Sequence, residues 1–83
     1  MSDHLLTFEL SKDKDELFVH GDAQGLRFLA KNLIQLADHA DLGQYDHTHL
    51  MTEDWGGLEL SNISQSQDSS LLNHVKLYGW PKQ

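Results

Sequence analysis

Residues 22–43 of this 83-residue chain read DAQGLRFLAKNLIQLADHADLG, and this stretch decides the fold. Its apolar residues recur at spacings of three and four, which places them on one stripe of an α-helix. The stripe consists of Leu26, Leu29, Ala30, Leu33, Leu36, Ala37 and Ala40. Asp22 stands where an N-cap residue belongs, and Gly43 stands where a helix ends in a left-handed residue. The stretch therefore predicts one helix of roughly 18 to 20 residues with an apolar face to bury.

No other segment repeats the helical period, so the rest of the chain is expected to supply a sheet. The stretches that alternate as strands do are 4–10, 16–20, 45–51 and 71–78, with a weaker pattern at 58–61. The resulting order is β-β-α-β-(β)-β. It predicts an α+β fold, a two-layer sandwich in which an antiparallel four- to five-stranded sheet carries one long helix on one face.

A chain of this length has room for one small α+β domain, residues 1–83. Segment 61–70, SNISQSQDSS, is poor in apolar residues and rich in Ser, Gln and Asn, which predicts a mobile polar loop. The chain has no cysteine and no apolar run of signal-peptide or membrane-spanning length. These features predict a cytoplasmic protein without disulfides and without a membrane partner.

The chain is acidic, with 6 Lys and Arg residues against 13 Asp and Glu residues and a formal net charge of −7. This charge repels the phosphates of nucleic acids and of anionic lipids, so neither is an expected partner. It favours a basic protein as the partner.

The strand alternation also predicts what lies on each face of the sheet. The residues expected on the helix side are Leu6, Phe8, Leu10, Leu17, Val19, Thr48, Leu50, Val75 and Leu77. Aromatic and histidine side chains then lie on the opposite face, where aromatic residues commonly anchor protein partners. An ordinary solvent face with cross-strand aromatic pairs is the alternative. The expected partner-binding residues, including an acidic loop, are Phe18, His20, Tyr45, His47, His49, Glu53, Asp54, Trp55, Tyr78 and Trp80.

The histidines raise the question of a metal site. His47 and His49 project to the same side of a strand, and imidazole is a common zinc ligand. His20 or His74 is a conceivable third ligand across strands, yet no carboxylate or thiolate completes a recognised set. We therefore predict no metal and no cofactor, and keep a histidine-based metal-binding module as an alternative. Nucleophile elbows and phosphate-binding glycine loops are absent, so we do not expect an enzyme.

Several short motifs follow one another in a recognisable order. They are His20-Gly21-Asp22 at a strand end, Gly25-Leu26-Arg27-Phe28-Leu29-Ala30 and Leu36-Ala37 on the helix, His47-Thr48-His49-Leu50, and Gly57-Leu58-Glu59-Leu60-Ser61. In this order, over about Glu16 to Leu77, they resemble the immunity protein 32 family of bacterial polymorphic toxin systems. The resemblance implies a protein that neutralises a cognate toxin domain by occluding its active or target-binding site. A small homodimeric interaction domain without an inhibitory role is the remaining alternative.

Overall fold

The computed structural model of the protein describes residues 4–82. In chain order, the elements are β1 (Leu6–Ser11), β2 (Leu17–Gly21), helix α1 (Ala23–Asp41), β3 (Asp46–Met51), a short 3₁₀ turn (Glu53–Trp55), β4 (Ser69–Leu71) and β5 (His74–Gly79). Every strand pair is antiparallel in this part of the chain. The α+β class with one long helix is confirmed.

The strands divide into two sheets, one with the order β2-β1-β4 and one that pairs β3 with β5. The strand predicted at 71–78 is interrupted at Leu72 and Asn73, between β4 and β5. Leu72 N–H donates to the carbonyl of Phe8 in β1, whereas the carbonyl of Asn73 accepts from Thr52, just after β3. Consecutive residues thus bond to different sheets, and the chain cannot continue as one straight strand.

Segment 58–61 fills the gap between the two sheets. Leu60 pairs with Thr52 in a single parallel bridge and donates its N–H to the carbonyl of Met51. The next residue, Ser61, donates its N–H to the carbonyl of Leu6 in β1. The side chain of Leu60 is 1% exposed and packs with Leu6, Phe8 and Leu50, so this segment contributes a core side chain where a strand was predicted.

Helix α1 begins and ends where the sequence predicts. The Asp22 carboxylate accepts a 2.7 Å hydrogen bond from the N–H of Gly25. At the other end, Gly43 has a φ of 78° and donates to the carbonyl of Ala40. The N–H of Gln44 donates to the carbonyl of His39, which completes a Schellman motif. Both caps are confirmed.

The buried face of α1 is rotated relative to the predicted stripe. Leu36 is buried and Leu29 packs against the core, but Leu26 and Leu33 are 48% and 47% exposed. Phe28, which the helical period assigns to the polar side, also packs against the core. A close backbone contact determines which side of the helix faces the core, because Gly25 lies directly against the carbonyl of Leu5.

This rotation predicts unequal effects for two leucines of one helix. Leu36→Ala removes a buried side chain and is expected to lower the free energy of unfolding by about 2 to 3 kcal/mol. Leu33→Ala truncates a half-exposed side chain and is expected to change it by about 0.5 kcal/mol or less. Urea unfolding of both variants measures the difference, and a larger loss for Leu33→Ala would contradict the rotated face.

The helix leaves part of the three-stranded sheet uncovered. Val19 lies opposite Phe8 and Leu17 opposite Leu10, so the predicted facing of these residues is correct. Phe8 is buried, yet Leu17 and Val19 are 54% and 42% exposed. The prediction that they join the core is therefore wrong. Helix α1 follows β2 directly and packs mainly against β3 and β5, so it does not cover Leu17 and Val19.

The opposite face of β1 is also buried, by the serine-rich segment. Thr7 and Glu9 point away from the helix, and both are 0% exposed. The Glu9 carboxylate accepts hydrogen bonds from the hydroxyls of Thr7, Ser64 and Ser69 and from the backbone N–H groups of Gln65 and Ser66. The mobility of 61–70 stays a prediction, while the structure ties residues 64–69 to one buried carboxylate.

Candidate functional site

The outer face of the β3–β5 pair carries the candidate site. Leu50 is buried and Thr48, Val75 and Leu77 are half-buried on the helix side of these strands. The exposed residues of the two strands are His47, His49, His74, Lys76 and Tyr78. Tyr45, Trp55 and Trp80 adjoin them through ring contacts. We call these eight residues the aromatic–histidine face.

The strand register brings these side chains into contact. Thr52 and Asn73 form a hydrogen-bonded pair, because the N–H of Thr52 donates to the carbonyl of Asn73. Hydrogen-bonded and non-hydrogen-bonded pairs alternate along two antiparallel strands, so the outward-facing pairs of β3 and β5 are non-hydrogen-bonded. Side chains lie closest together in pairs of this kind. These pairs are His47 with Tyr78, His49 with Lys76, and Met51 with His74. The backbone geometry thus gathers the rings.

A hydrogen bond between His39 and Asp46 fixes the start of β3 to the helix. His39, in the last turn of α1, and Asp46 lie 2.6 Å apart between Nδ1 and Oδ2. The Asp46 carboxylate also accepts from the backbone N–H of His47. This N–H and then the His39 contact lower the pKa of the Asp46 carboxyl below its usual value. The residues on either side of Asp46, Tyr45 and His47, are thereby held in position.

Tyr45, Tyr78 and Trp80 form an aromatic cluster at one end of the face. The ring of Tyr45 lies 4.5 Å from that of Trp80 and 6.3 Å from that of Tyr78, measured between centres. The rings of Tyr78 and Trp80 are nearly parallel, at 9°. All three side chains are about half exposed, between 47% and 60%. The cluster is therefore ordered by its own contacts while it presents apolar area to solvent.

Lys76 lies between the aromatic cluster and the histidines. Its ammonium nitrogen is 5.0 Å from the centre of the Tyr78 ring, a cation–π distance. Its interaction with the Tyr78 hydroxyl raises the pKa of Lys76. The exposed positions of β3 and β5 include no carboxylate. In a protein with a net charge of −7, this face is the exception to the overall negative charge.

The histidines occupy the other end of the face. His49 Nδ1 and His74 Nε2 are 2.8 Å apart, and the His47 ring meets that of His49 edge-on at 5.1 Å between centres. Trp55 lies beside His74, with ring centres 6.2 Å apart. Burial, and then the positive charges of Lys76 and the neighbouring histidines, lower the pKa of His49.

The structure divides the ten predicted site residues into three groups. Those on the aromatic–histidine face are Tyr45, His47, His49, Trp55, Tyr78 and Trp80. Glu53 and Asp54 lie in the 3₁₀ turn with Trp55. Phe18 and His20 lie on the other sheet, where His20 Nε2 is 2.6 Å from the Ser66 hydroxyl. His20 is thus separated from the histidines of β3 and β5.

The expected partner-binding residues did not include His74 and Lys76, which also lie on this face. The alternation that assigns Tyr78 to the outer side of β5 also assigns these two, so the signal was present in the sequence. For the metal alternative, no group of three or more His, Cys, Asp and Glu side chains within residues 4–82 is placed to hold an ion. The same range contains no helix long and apolar enough to cross a membrane.

A small α+β protein with exposed, ordered aromatic residues on one sheet face has the make-up of a protein-binding domain. The family model of Immunity protein 32 matches residues 16–75, well over half of the chain. The chain therefore belongs to the immunity protein 32 family. Neither a curated protein nor a solved structure matches it significantly. The matched range includes β3 and ends within β5, before Lys76, Tyr78 and Trp80.

Proposed function

We propose that this protein is a cytoplasmic, non-enzymatic inhibitor that binds a cognate bacterial toxin domain and occludes its active or target-binding site. Membership of the immunity protein 32 family carries this proposal. The aromatic–histidine face is the surface assigned to the toxin, because it offers large aromatic side chains that are about half exposed.

The aromatic cluster has the properties of a binding hot spot. Tyr and Trp side chains bury much area for little loss of conformational entropy, and here their rings already hold one another. Inhibitor complexes of ordinary size bury about 1,600 Å² in total, more than a few rings provide. We therefore assign the neighbouring turn, with Glu53, Asp54 and Trp55, to the rim of the same interface.

The charge distribution supports two distinct stages of binding. The net charge of −7 favours a basic toxin and speeds its approach at long range. The contact face itself carries aromatic rings, histidines and one lysine, and its affinity comes from buried aromatic area. Salt is accordingly expected to slow association more than it accelerates dissociation.

Co-expression with the product of the gene immediately upstream tests the function. A stable heterocomplex in size-exclusion chromatography together with rescued growth supports the proposal. Free protein without rescue contradicts it. Light scattering of the purified chain tests the homodimer alternative, since a dimer that buries this face would hide it from a toxin.

Truncation of the aromatic cluster is expected to weaken the complex without unfolding the protein. Trp80→Ala is expected to raise the Kd by about ten- to a hundredfold, the loss of one interface anchor. Ile63→Ala is the matched control, because Ile63 is a large apolar residue that is 73% exposed in the serine-rich segment. Calorimetry measures both affinities, and equal affinities for the two variants would remove this face from the interface.

A further inference from the structure

His49 and His74, on adjacent strands, point ring nitrogens at each other. Their Nδ1 and Nε2 atoms are 2.8 Å apart, the ring planes differ by 15° and the ring centres are 5.0 Å apart. This centre distance matches one hydrogen bond plus two ring radii, so the rings lie edge to edge. One ring donates its N–H and the other accepts with a lone pair, so the two nitrogens share a single proton between β3 and β5.

A metal ion can take the place of such a proton. Neutral imidazole nitrogen binds transition metals strongly, with metal–nitrogen distances of about 2.0–2.1 Å for zinc. Two nitrogens bound tetrahedrally at that distance lie roughly 3.3 Å apart. The two nitrogens would have to separate by about half an ångström, and the rings would have to tilt so that both lone pairs point at the ion. Both side chains are exposed.

We propose that His49 and His74 form a surface site for a divalent transition-metal ion of the zinc and copper class. No third His, Cys, Asp or Glu side chain within residues 4–82 is placed to bind the same ion. Met51 lies directly opposite His74 in the strand register, so its thioether and solvent water are left to fill the remaining positions. Imidazole and thioether groups favour these softer metals. Calcium and magnesium prefer carboxylate oxygens, and the exposed positions of β3 and β5 have none.

The charges around the site act in opposite directions. The net charge of −7 attracts a cation, whereas the ammonium group of Lys76, opposite His49, repels it. His47 is the remaining titratable group of β3 and β5 on this side, and Glu53 and Asp54 lie in the turn that brings Trp55 against His74.

A bound ion would link β3 to β5 across the aromatic–histidine face. Because the histidine pair is exposed, coordination positions would remain open towards solvent, where a side chain of another protein could bind. The site goes beyond the proposed inhibitory function and does not depend on it.

Titration of the untagged full chain with ZnCl₂, and separately with CuCl₂, tests the site at about pH 7.5, above the ordinary pKa of histidine. Calorimetry is expected to show one ion per chain, and histidine side-chain NMR is expected to show shifts at His49 and His74. His49→Gln and His74→Gln are each expected to weaken binding by about tenfold or more. Lys76→Gln is expected to tighten it. His20→Gln, which alters the other sheet, is the matched control and should bind like the wild type.

Two results would overturn the site. One is the absence of stoichiometric binding of either metal to the wild-type chain. The other is binding that persists in the His49→Gln/His74→Gln double variant. The NMR shifts of the wild-type protein locate the ion independently of how the variants fold. Failure of the metal titration leaves the toxin assay unaffected, so the two proposals fail separately.

Discussion

Alanine at position 25 is expected to destabilise the protein by about 3 to 5 kcal/mol, although replacing glycine with alanine in a helix ordinarily stabilises it by about 1 kcal/mol. The added Cβ would lie 1.8 Å from the carbonyl oxygen of Leu5. That carbonyl also accepts the N–H of Asp22, the N-cap residue. Leu5 and the helix therefore cannot separate without breaking this hydrogen bond. Urea unfolding of Gly25→Ala measures the loss.

Gly43→Ala separates this steric effect from an effect of backbone conformation. Gly43 has a φ of 78°, but a Cβ there would have no heavy atom within 4 Å. The expected cost is about 1 to 2 kcal/mol, that of a left-handed alanine. If Gly25→Ala lost no more stability than Gly43→Ala, the close contact between α1 and Leu5 would be refuted.

Glu9→Gln is expected to lower the free energy of unfolding by about 3 kcal/mol, because it removes a buried charge whose partners are all donors. The new amide nitrogen would replace one of the two acceptor oxygens. Its N–H donors would then face either the hydroxyls of Ser64 and Ser69 and the N–H of Ser66, or the hydroxyl of Thr7 and the N–H of Gln65. Glu16→Gln is the matched control, since Glu16 is exposed. Similar stabilities of the two variants in urea would show that the Glu9 contacts contribute little.

The acid sensitivity of the protein follows from the same carboxylate. Burial alone would raise the pKa of Glu9, but the hydrogen bonds from Ser64, Thr7 and the Gln65 and Ser66 backbone outweigh it and hold the pKa well below its ordinary value of 4.5. A lowered pKa contributes stability that is fully present above the unfolded value and is lost as the pH falls towards the folded value. Stability of the wild type should therefore fall below about pH 4.5, and more steeply than that of Glu9→Gln.

The helix was predictable because its signals are local. Asp22 and Gly43 act on backbone groups within a few residues, and the caps they form require no other part of the chain. The buried face was less predictable. It depends on the carbonyl of Leu5 meeting the helix at Gly25, a contact that apolar periodicity does not encode.

The division into two sheets and the burial of Glu9 depend on distant parts of the chain. Strand alternation assigns Glu9 to the side away from the helix, which is correct, but polarity alone then predicts exposure. Its burial arises from Ser64 and Ser69, which follow more than fifty residues later. Composition predicted a mobile loop there because serine-rich segments have little apolar area. Composition alone does not reveal that serine hydroxyls of this segment donate to the buried Glu9 carboxylate.

The candidate site was predictable where the alternation of side chains along a strand is enough to assign a residue to one face. It assigned His47, His49 and Tyr78 to one face, and the structure gathers them there. It also grouped Phe18 and His20 with them, which assumes that all strands belong to one sheet. Alternation reports the face of a strand and gives no information on which strands are neighbours.

The pairing of β1 with β4 affects when the protein can fold during its synthesis. Residues 12–68 separate the two strands along the chain. β1 is therefore made well before the strand that pairs with it. Contacts between such distant residues also slow folding. The core around Leu6 and Phe8 includes Leu60, so a nascent chain that ends before this residue leaves Leu6 and Phe8 without part of the packing that buries them.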